Sequence, residues 1–414
     1  MLQTACRPTF SKSLLYWLWG RVVSQQVLNH WANVFPRAIT GFLPRRSAQA
    51  MLYHIQAKLE QVHMGLESHH WSGLTLDLVK CFNCLPRQPA RCLLNKLGLP
   101  DEIIQCWFSS IERLQRWWLV NQQMHSTGYA TTGCPEGDTF SVIVMLAINY
   151  MWTVSQESDD MILNAFADNW SYATCNRHLH RPILTYIVRL CDALKITLDW
   201  KKTWAWATNA IHKSCLQRVS SLILPQDISL QLVSHARELG YIMHYRCQQF
   251  RGTIKTRHNA AIGRLKTLQL SDAPMHVKAQ IARASCIGKA MFGAETFALG
   301  ERYFSTLRTG IAYALLGPKR NIQPYIACMC LSRFLIDPEL YVIQNAIRKA
   351  RAYLVFASPQ NAQAFYEAHV LSRCPAAQIK GPAAALKWYL SKLGWTMTRD
   401  GTLHIGSFFS TSYL

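Results

Sequence analysis

Only 23 of the 414 residues are acidic, so an aspartate set in an apolar stretch calls for an explanation, and two such residues stand out. Asp77 closes the run Ser72-Gly-Leu-Thr-Leu-Asp77, and Asp168 follows Met161-Ile-Leu-Asn-Ala-Phe-Ala167. Carboxylate oxygens are what hard divalent cations such as Mg²⁺ take as ligands. Between the two lies Gly133-Cys-Pro-Glu-Gly137, where two glycines and a proline make a loop that lets backbone approach a ligand closely. Beyond them come Asp199-Trp-Lys-Lys202-Thr203 and Leu239-Gly240-Tyr241-Ile242. Each signal is weak alone. Phe82, five residues after Asp77, would by itself more often be core, and Lys202 a solvated charge. Their order carries the information.

These residues need elements to hold them. Residues 72–78 alternate, with Leu74, Leu76 and Leu78 on one face and Thr75 and Asp77 on the other, which predicts a half-buried strand whose Asp77 leaves the core side. From Met161 a second alternating run sets Ile162, Asn164, Phe166 and Asp168 on one face; with a turn at Asp168-Asn169 and a return at 171–174, it reads as a hairpin with a carboxylate at its tip. Helical spacing of Ile183, Ile187, Leu190 and Leu194 predicts a helix, and 196–198 a short strand. Beyond about residue 250 amphipathic helices take over, one opening with Asp337 as cap and Pro338 in the first turn. The fold class is therefore α+β with a mostly helical second half.

Composition bounds the partners. Half of the residues are apolar, too many for disorder, and 44 Lys and Arg against 23 Asp and Glu leave a formal charge of +21, which points to a polyanion, nucleic acid first. Fourteen cysteines in apolar surroundings suit a reduced intracellular chain, and pairs such as Cys81 with Cys84 lack the second half of a zinc motif. The apolar run 139–154, interrupted by Ser141 and Asn149, is too short to span a bilayer and reads as a buried helix; the N-terminus makes a poor signal peptide. No repeat, low-complexity tract or flexible linker occurs.

Taken in order, the five signals resemble motifs A to E of the reverse transcriptases, most like those of non-LTR (LINE-like) retrotransposons. Upstream, Arg7-Pro8 looks like the fingers "RPI" segment and Gly41-Phe-Leu-Pro44-Arg45-Arg46-Ser47 resembles the "GFxPxR" stretch, so the match covers roughly residues 5–250. The resemblance implies a right-hand polymerase: shortened fingers at 1–72, a palm of antiparallel sheet with helices on one face at 73–250, a fingers insertion near 87–130, a helical thumb at 251–358, and a tail of unassigned role at 359–414.

It also implies roles. Asp77 and Asp168, with the Leu78 carbonyl, would hold two Mg²⁺ or Mn²⁺ ions, and Asn169 completes the tip. Phe82 would be the steric gate against a 2′-hydroxyl, Lys202 the motif D lysine serving the leaving pyrophosphate, and Arg7 a grip on the triphosphate. Gly133, Pro135, Glu136 and Gly137 form the nucleotide-side loop. Arg45, Arg46, Gly240, Arg251, Lys255, Arg257, Arg264 and Lys266 would face nucleic acid, and a later helix adds Arg348, Lys349 and Arg351. The implied partners are an RNA template, a DNA primer, their hybrid and deoxynucleoside triphosphates, with no membrane; the implied location is the nucleus.

Three departures matter. The family's Asp-Asp tip is Asp168-Asn169, its motif B Gln is Glu136, and Met1 stands six residues before Arg7, which leaves the fingers short. No endonuclease domain precedes the polymerase, and no zinc knuckle or complete RNase H pattern follows residue 360. An RNA-directed DNA polymerase is the leading reading. A degenerate copy that only binds RNA or hybrid is the alternative, and a group II intron maturase, for which no maturase segment is recognised, ranks third.

Overall fold

The structure, a computed structural model, describes residues 14–120, 123–154, 160–226, 228–245, 252–317, 323–330, 336–372 and 381–405. The chain divides into two units, Met1–Met51 with Trp71–Val233 and Leu52–His70 with Ser234–Leu414. The first contains α1 (Leu14–Val34), the start of α2 (Ala48–His63), β1 (Ser72–Asp77), α3 (Cys81–Cys84), α4 (Arg87–Lys96) and α5 (Asp101–Glu112). A separate ribbon β2–β3 (Gln115–Val120, Gln123–Tyr129) precedes α6 (Thr139–Val154), β4 (Met161–Phe166), β5 (Asn169–Thr174), α7 (His180–Leu194), β6 (Trp204–Ala207), α8 (Ala210–Ile223) and β7 (Gln231–Leu232).

Five strands make one sheet in the order β4-β5-β1-β6-β7, antiparallel except for the β6–β7 pair. The central strand β1 pairs on both sides and is buried from Ser72 to Leu76, Thr75 included, so it is not the half-buried strand its alternation predicts. Ser72 tolerates burial because its hydroxyl meets His180 Nε2 and His212 Nδ1, each at 2.7 Å, and Tyr172 OH meets His180 Nδ1 at 3.0 Å. These contacts seat the starts of α7 and α8 against the sheet at the end of β1 away from Asp77.

The apolar run 139–154 is α6, buried on nearly every side. Of its two polar interruptions, Ser141 donates to the Pro135 carbonyl at 2.8 Å, and Asn149 Oδ1 accepts from Trp170 Nε1 at 2.8 Å while its buried Nδ2 has no partner among the described residues. Among the described residues no helix is long and apolar enough to cross a membrane.

Two expected elements shift. The turn of the β4–β5 hairpin is Ala167-Asp168, with Ala167 at φ 52°, and Asn169 is already the first residue of β5, paired with Phe166. Asn169 is pulled into the ladder because it also pairs with Asp77 across β1. Residues 196–198 form only a bridge, Leu198 to Leu78, and the strand falls instead at β6. Trp-Ala-Trp-Ala alternates in size rather than polarity, so a polarity pattern misses it.

The second unit, after its Leu52–His70 segment, resumes with a hairpin, β8 (His235–Glu238) and β9 (Tyr241–His244), turning at Leu239-Gly240 with φ of 45° and 85°. Helices follow: α9 (Gly252–Gln269), α10 (Met275–Ile281), α11 (Gly288–Ala290), α12 (Glu301–Leu316), α13 (Pro324–Cys330), α14 (Pro338–Phe356), α15 (Pro359–Leu371) and α16 (Pro382–Lys392), then β10 (Trp395–Met397) and β11 (Leu403–Ile405). As expected, Asp337 caps α14, accepting from the Glu339 and Leu340 N–H groups; it also takes a two-pronged contact from Arg308. The start of α16 is capped from far away in sequence: buried Glu60 accepts from the N–H groups of Ala383 at 2.8 Å and Ala384 at 2.9 Å. The described part of the tail thus contributes to the core, Phe365, Ala368 and Tyr389 belonging to the same buried cluster as Phe304 and Ile311.

Candidate active site

The two aspartates meet through strand pairing. β1 and β5 place Asp77 opposite Asn169, and the Leu78 N–H donates to the Asp168 carbonyl at 3.1 Å, which ties the hairpin tip to the end of β1. Asp77 and Asp168 therefore share one rim. Burial raises the Asp168 carboxyl above its ordinary range; its own N–H opposes this, Asp77 raises it, Lys202 lowers it, and Glu136 raises it again. Asn169 is 9% exposed, and its buried Oδ1 has no hydrogen-bond partner among the described residues.

The segment after α7 closes the other side. Val79 N donates to the Thr197 carbonyl and Asp199 N to the Asp77 carbonyl, each at 2.8 Å, so the chain passes Asp77 just before Lys202. Lys202 Nζ then lies 2.8 Å from Asp77 Oδ2 and 3.2 Å from Asp199 Oδ2. Its hydrogen bonds to Asp77 and then to Asp199 raise its pKa and keep it charged.

Phe82 is half-buried in the single turn α3, entered through Lys80 at φ 44°. The Cys134 N–H donates to the Phe82 carbonyl at 2.6 Å and the Gly133 N–H to the Leu85 carbonyl at 3.0 Å, which sews the 133–137 loop to α3. Gly133 is required twice: its φ is 77°, and a Cβ there would lie 2.3 Å from the Asn83 carbonyl oxygen. Asn83 Nδ2 donates to Glu136 Oε1 at 3.2 Å, and Pro135 and Gly137 complete the loop, with Gly137 at φ 83°. Two residues that the sequence reading passed over hold it in place. Buried Asp138 accepts from Trp107 Nε1 at 2.8 Å and Tyr16 OH at 3.1 Å, and buried Arg87 donates to the Gly133 carbonyl at 2.9 Å. Asp138 adjoins a recognised loop and could have been flagged; nothing in the sequence marks Arg87.

The segment at Gly41 runs along the same hairpin. Thr40 and Gly41 donate to the Ala165 carbonyl at 2.9 and 3.3 Å, and Phe42 stacks on Phe166 with centroids 5.8 Å apart. Arg45 is exposed. Arg46 is turned inward: its guanidinium donates to the carbonyls of Ala32 and Phe35, each at 2.7 Å, of Ile39 at 3.1 Å and of Pro36, closing the C-terminal end of α1.

In the second unit Arg257 is likewise turned inward, to the carbonyls of Phe292 at 3.0 Å and Gly240, and so holds the Leu239-Gly240 turn. Lys349 is paired with buried Glu295. Lys255, Arg264, Lys266, Arg348 and Arg351 are exposed. Arg7 and Arg251 lie outside the described residues.

Residues 6–241 match the family model described as reverse transcriptase (RNA-dependent DNA polymerase), and the chain belongs to the reverse transcriptase family, a class of right-hand polymerases of mixed α+β architecture that generally use divalent metal ions. No curated protein matches it. Among solved structures, telomerase from Candida tropicalis in complex with a TWJ fragment of telomeric RNA is similar at 12% identity with a TM-score of 0.45, over 87% of this chain and 57% of that one. Telomerase from Candida albicans with the same kind of fragment gives 10% identity and a TM-score of 0.37, over 83% of this chain and 57% of that one. The chain thus spans a little over half the length of these telomerases.

Proposed function

We propose that this chain is an RNA-directed DNA polymerase of a non-LTR-type retroelement, which extends a DNA primer on an RNA template with deoxynucleoside triphosphates. The observation that carries the reading is the shared rim of Asp77 and Asp168, two carboxylates far apart in sequence joined by the β1–β5 pairing.

The donors suit a hard cation, since both carboxylates and the orphaned Asn169 Oδ1 are oxygens. Among the described residues no group of three or more Asp, Glu, His and Cys could hold a metal, so two carboxylates and neutral oxygens, with the Leu78 carbonyl, would make up the set. Divalent ions bound there, two in the reading proposed, would stabilise charge on the attacking and leaving oxygens. The chain's residues do the rest. Lys202, kept protonated by Asp77 and Asp199, holds a proton at Nζ for the departing pyrophosphate. Phe82 excludes a 2′-hydroxyl, and Glu136 accepts from the sugar's 3′-hydroxyl. Residues 1–72 would serve as fingers, 73–250 as palm and 251–358 as thumb, with exposed Arg45, Lys255, Arg264 and Lys266 tracking the hybrid backbone. The working place would be the nucleus.

Asn169 favours a second reading, a copy that binds RNA or hybrid without polymerising, because the tip carries one charge fewer. The two part on Asp77→Asn. A polymerase loses primer extension with hybrid affinity retained; a pure binder shows salt-dependent hybrid affinity and no extension before or after the change.

A further inference from the structure

Phe82 sits on a helix of four residues, Cys81–Cys84, too short to hold its own position. What holds it is the neighbouring loop, through the Cys134–Phe82 and Gly133–Leu85 backbone hydrogen bonds. That loop is itself irregular, with two glycines at positive φ, so its position must come from a third element. Arg87, the first residue of α4 and 8% exposed, supplies it: Nε donates to the Gly133 carbonyl at 2.9 Å and Nη2 to the Thr132 carbonyl at 3.4 Å. One planar guanidinium thus fixes two successive carbonyls of the loop from inside the fold.

We propose that Arg87 is a positioning residue for sugar selection: by clamping Thr132 and Gly133 it sets where the Phe82 ring and the Asn83–Glu136 pair stand relative to the nucleotide's ribose. It touches no substrate and acts through the loop. Lysine keeps the charge but is a point donor on a flexible stem and cannot reproduce the fork.

The inference rests on the polymerase reading, and the test separates the two. Single-nucleotide extension of a DNA primer on an RNA template is measured with dTTP and UTP for the unaltered chain, Phe82→Ala and Arg87→Lys, with melting temperature and hybrid Kd for each. The expected result is that Arg87→Lys lowers the deoxy-over-ribo preference by roughly tenfold or more, in the same direction as Phe82→Ala, while the hybrid Kd stays near that of the unaltered chain and the melting temperature falls by only a few degrees for the lost buried hydrogen bonds. That combination would not follow from general destabilisation. Preference lost in Phe82→Ala but kept in Arg87→Lys overturns the role of Arg87 and leaves the polymerase reading standing. Preference kept in both overturns the gate and with it this inference. No extension by the unaltered chain overturns the polymerase reading and the inference together.

Discussion

Asp77 and Asn169 stand directly opposite one another in the antiparallel β1–β5 pair, the one a carboxylate tied to Lys202, the other an amide whose buried oxygen has no partner among the described residues. This pairing fixes the register of the hairpin and so delivers Asp168 to the rim.

Asn169→Asp would add a third carboxylate to the rim of Asp77 and Asp168. Without metal, the like charge on a 9% exposed residue should lower stability by roughly 1–3 kcal/mol; with Mn²⁺ the added ligand charge should tighten binding and reverse the loss. Thermal melts in EDTA and in Mn²⁺, with Mn²⁺ titration by electron paramagnetic resonance, check both signs. Equal Mn²⁺ affinity in the two proteins would remove Asn169 from the ligand set.

Lys202 is 66% exposed on its side chain, so its ion pairs with Asp77 and Asp199 contribute less than about 1 kcal/mol to stability. Lys202→Ala should therefore leave the melting temperature nearly unchanged while slowing extension by roughly 10²-fold or more, as loss of a proton donor would. A stability loss with normal extension would make Lys202 a structural residue only.

His180 is fully buried, and burial pulls its pKa down to about 3, with His212 as a smaller influence. The folded chain keeps it neutral while the unfolded chain protonates it below about 6.5. Its contribution is complete above that pH and falls as pH drops toward 3, at about 1.4 kcal/mol per pH unit. Urea unfolding between pH 7.5 and 5 should show a shallower pH slope for His180→Gln; an unchanged slope would mean that His180 is already charged in the fold.

Asp337, at 0% exposure, both caps α14 and receives Arg308 Nε at 2.6 Å and Nη2 at 3.1 Å. Asp337→Ala removes the α14 cap and the two-pronged partner of Arg308, which keeps Glu339 at 2.7 Å and Glu301 at 3.0 Å, and should cost about 2–4 kcal/mol. Denaturant unfolding measures it, and a loss under 1 kcal/mol would contradict the accounting.

Where polarity alternates or helical spacing is regular, the sequence is enough: β1, α6, α7 and the Asp337 cap stand where those patterns put them, and the family motifs bring Asp77, Asp168, Lys202 and the Gly133 loop together. What it does not disclose is direction. Arg46 and Arg257 have the residue type of phosphate ligands, yet their guanidinium groups point at carbonyls of a helix end and a turn. The turn at Ala167-Asp168 follows from a long-range pairing with β1, which local turn preference does not include. Arg87 matters through two backbone carbonyls, and a backbone contact leaves no mark on residue type.

The central claim is that Asp77 and Asp168 serve one metal-dependent polymerase site. Primer extension on poly(rA)/oligo(dT), with Mg²⁺ and then Mn²⁺, compares the unaltered chain with Asp168→Asn. The account predicts extension by the unaltered chain that is lost in the variant while hybrid binding persists. A folded, hybrid-binding chain that extends nothing with either ion, or a variant that extends as well as the unaltered chain, would contradict it.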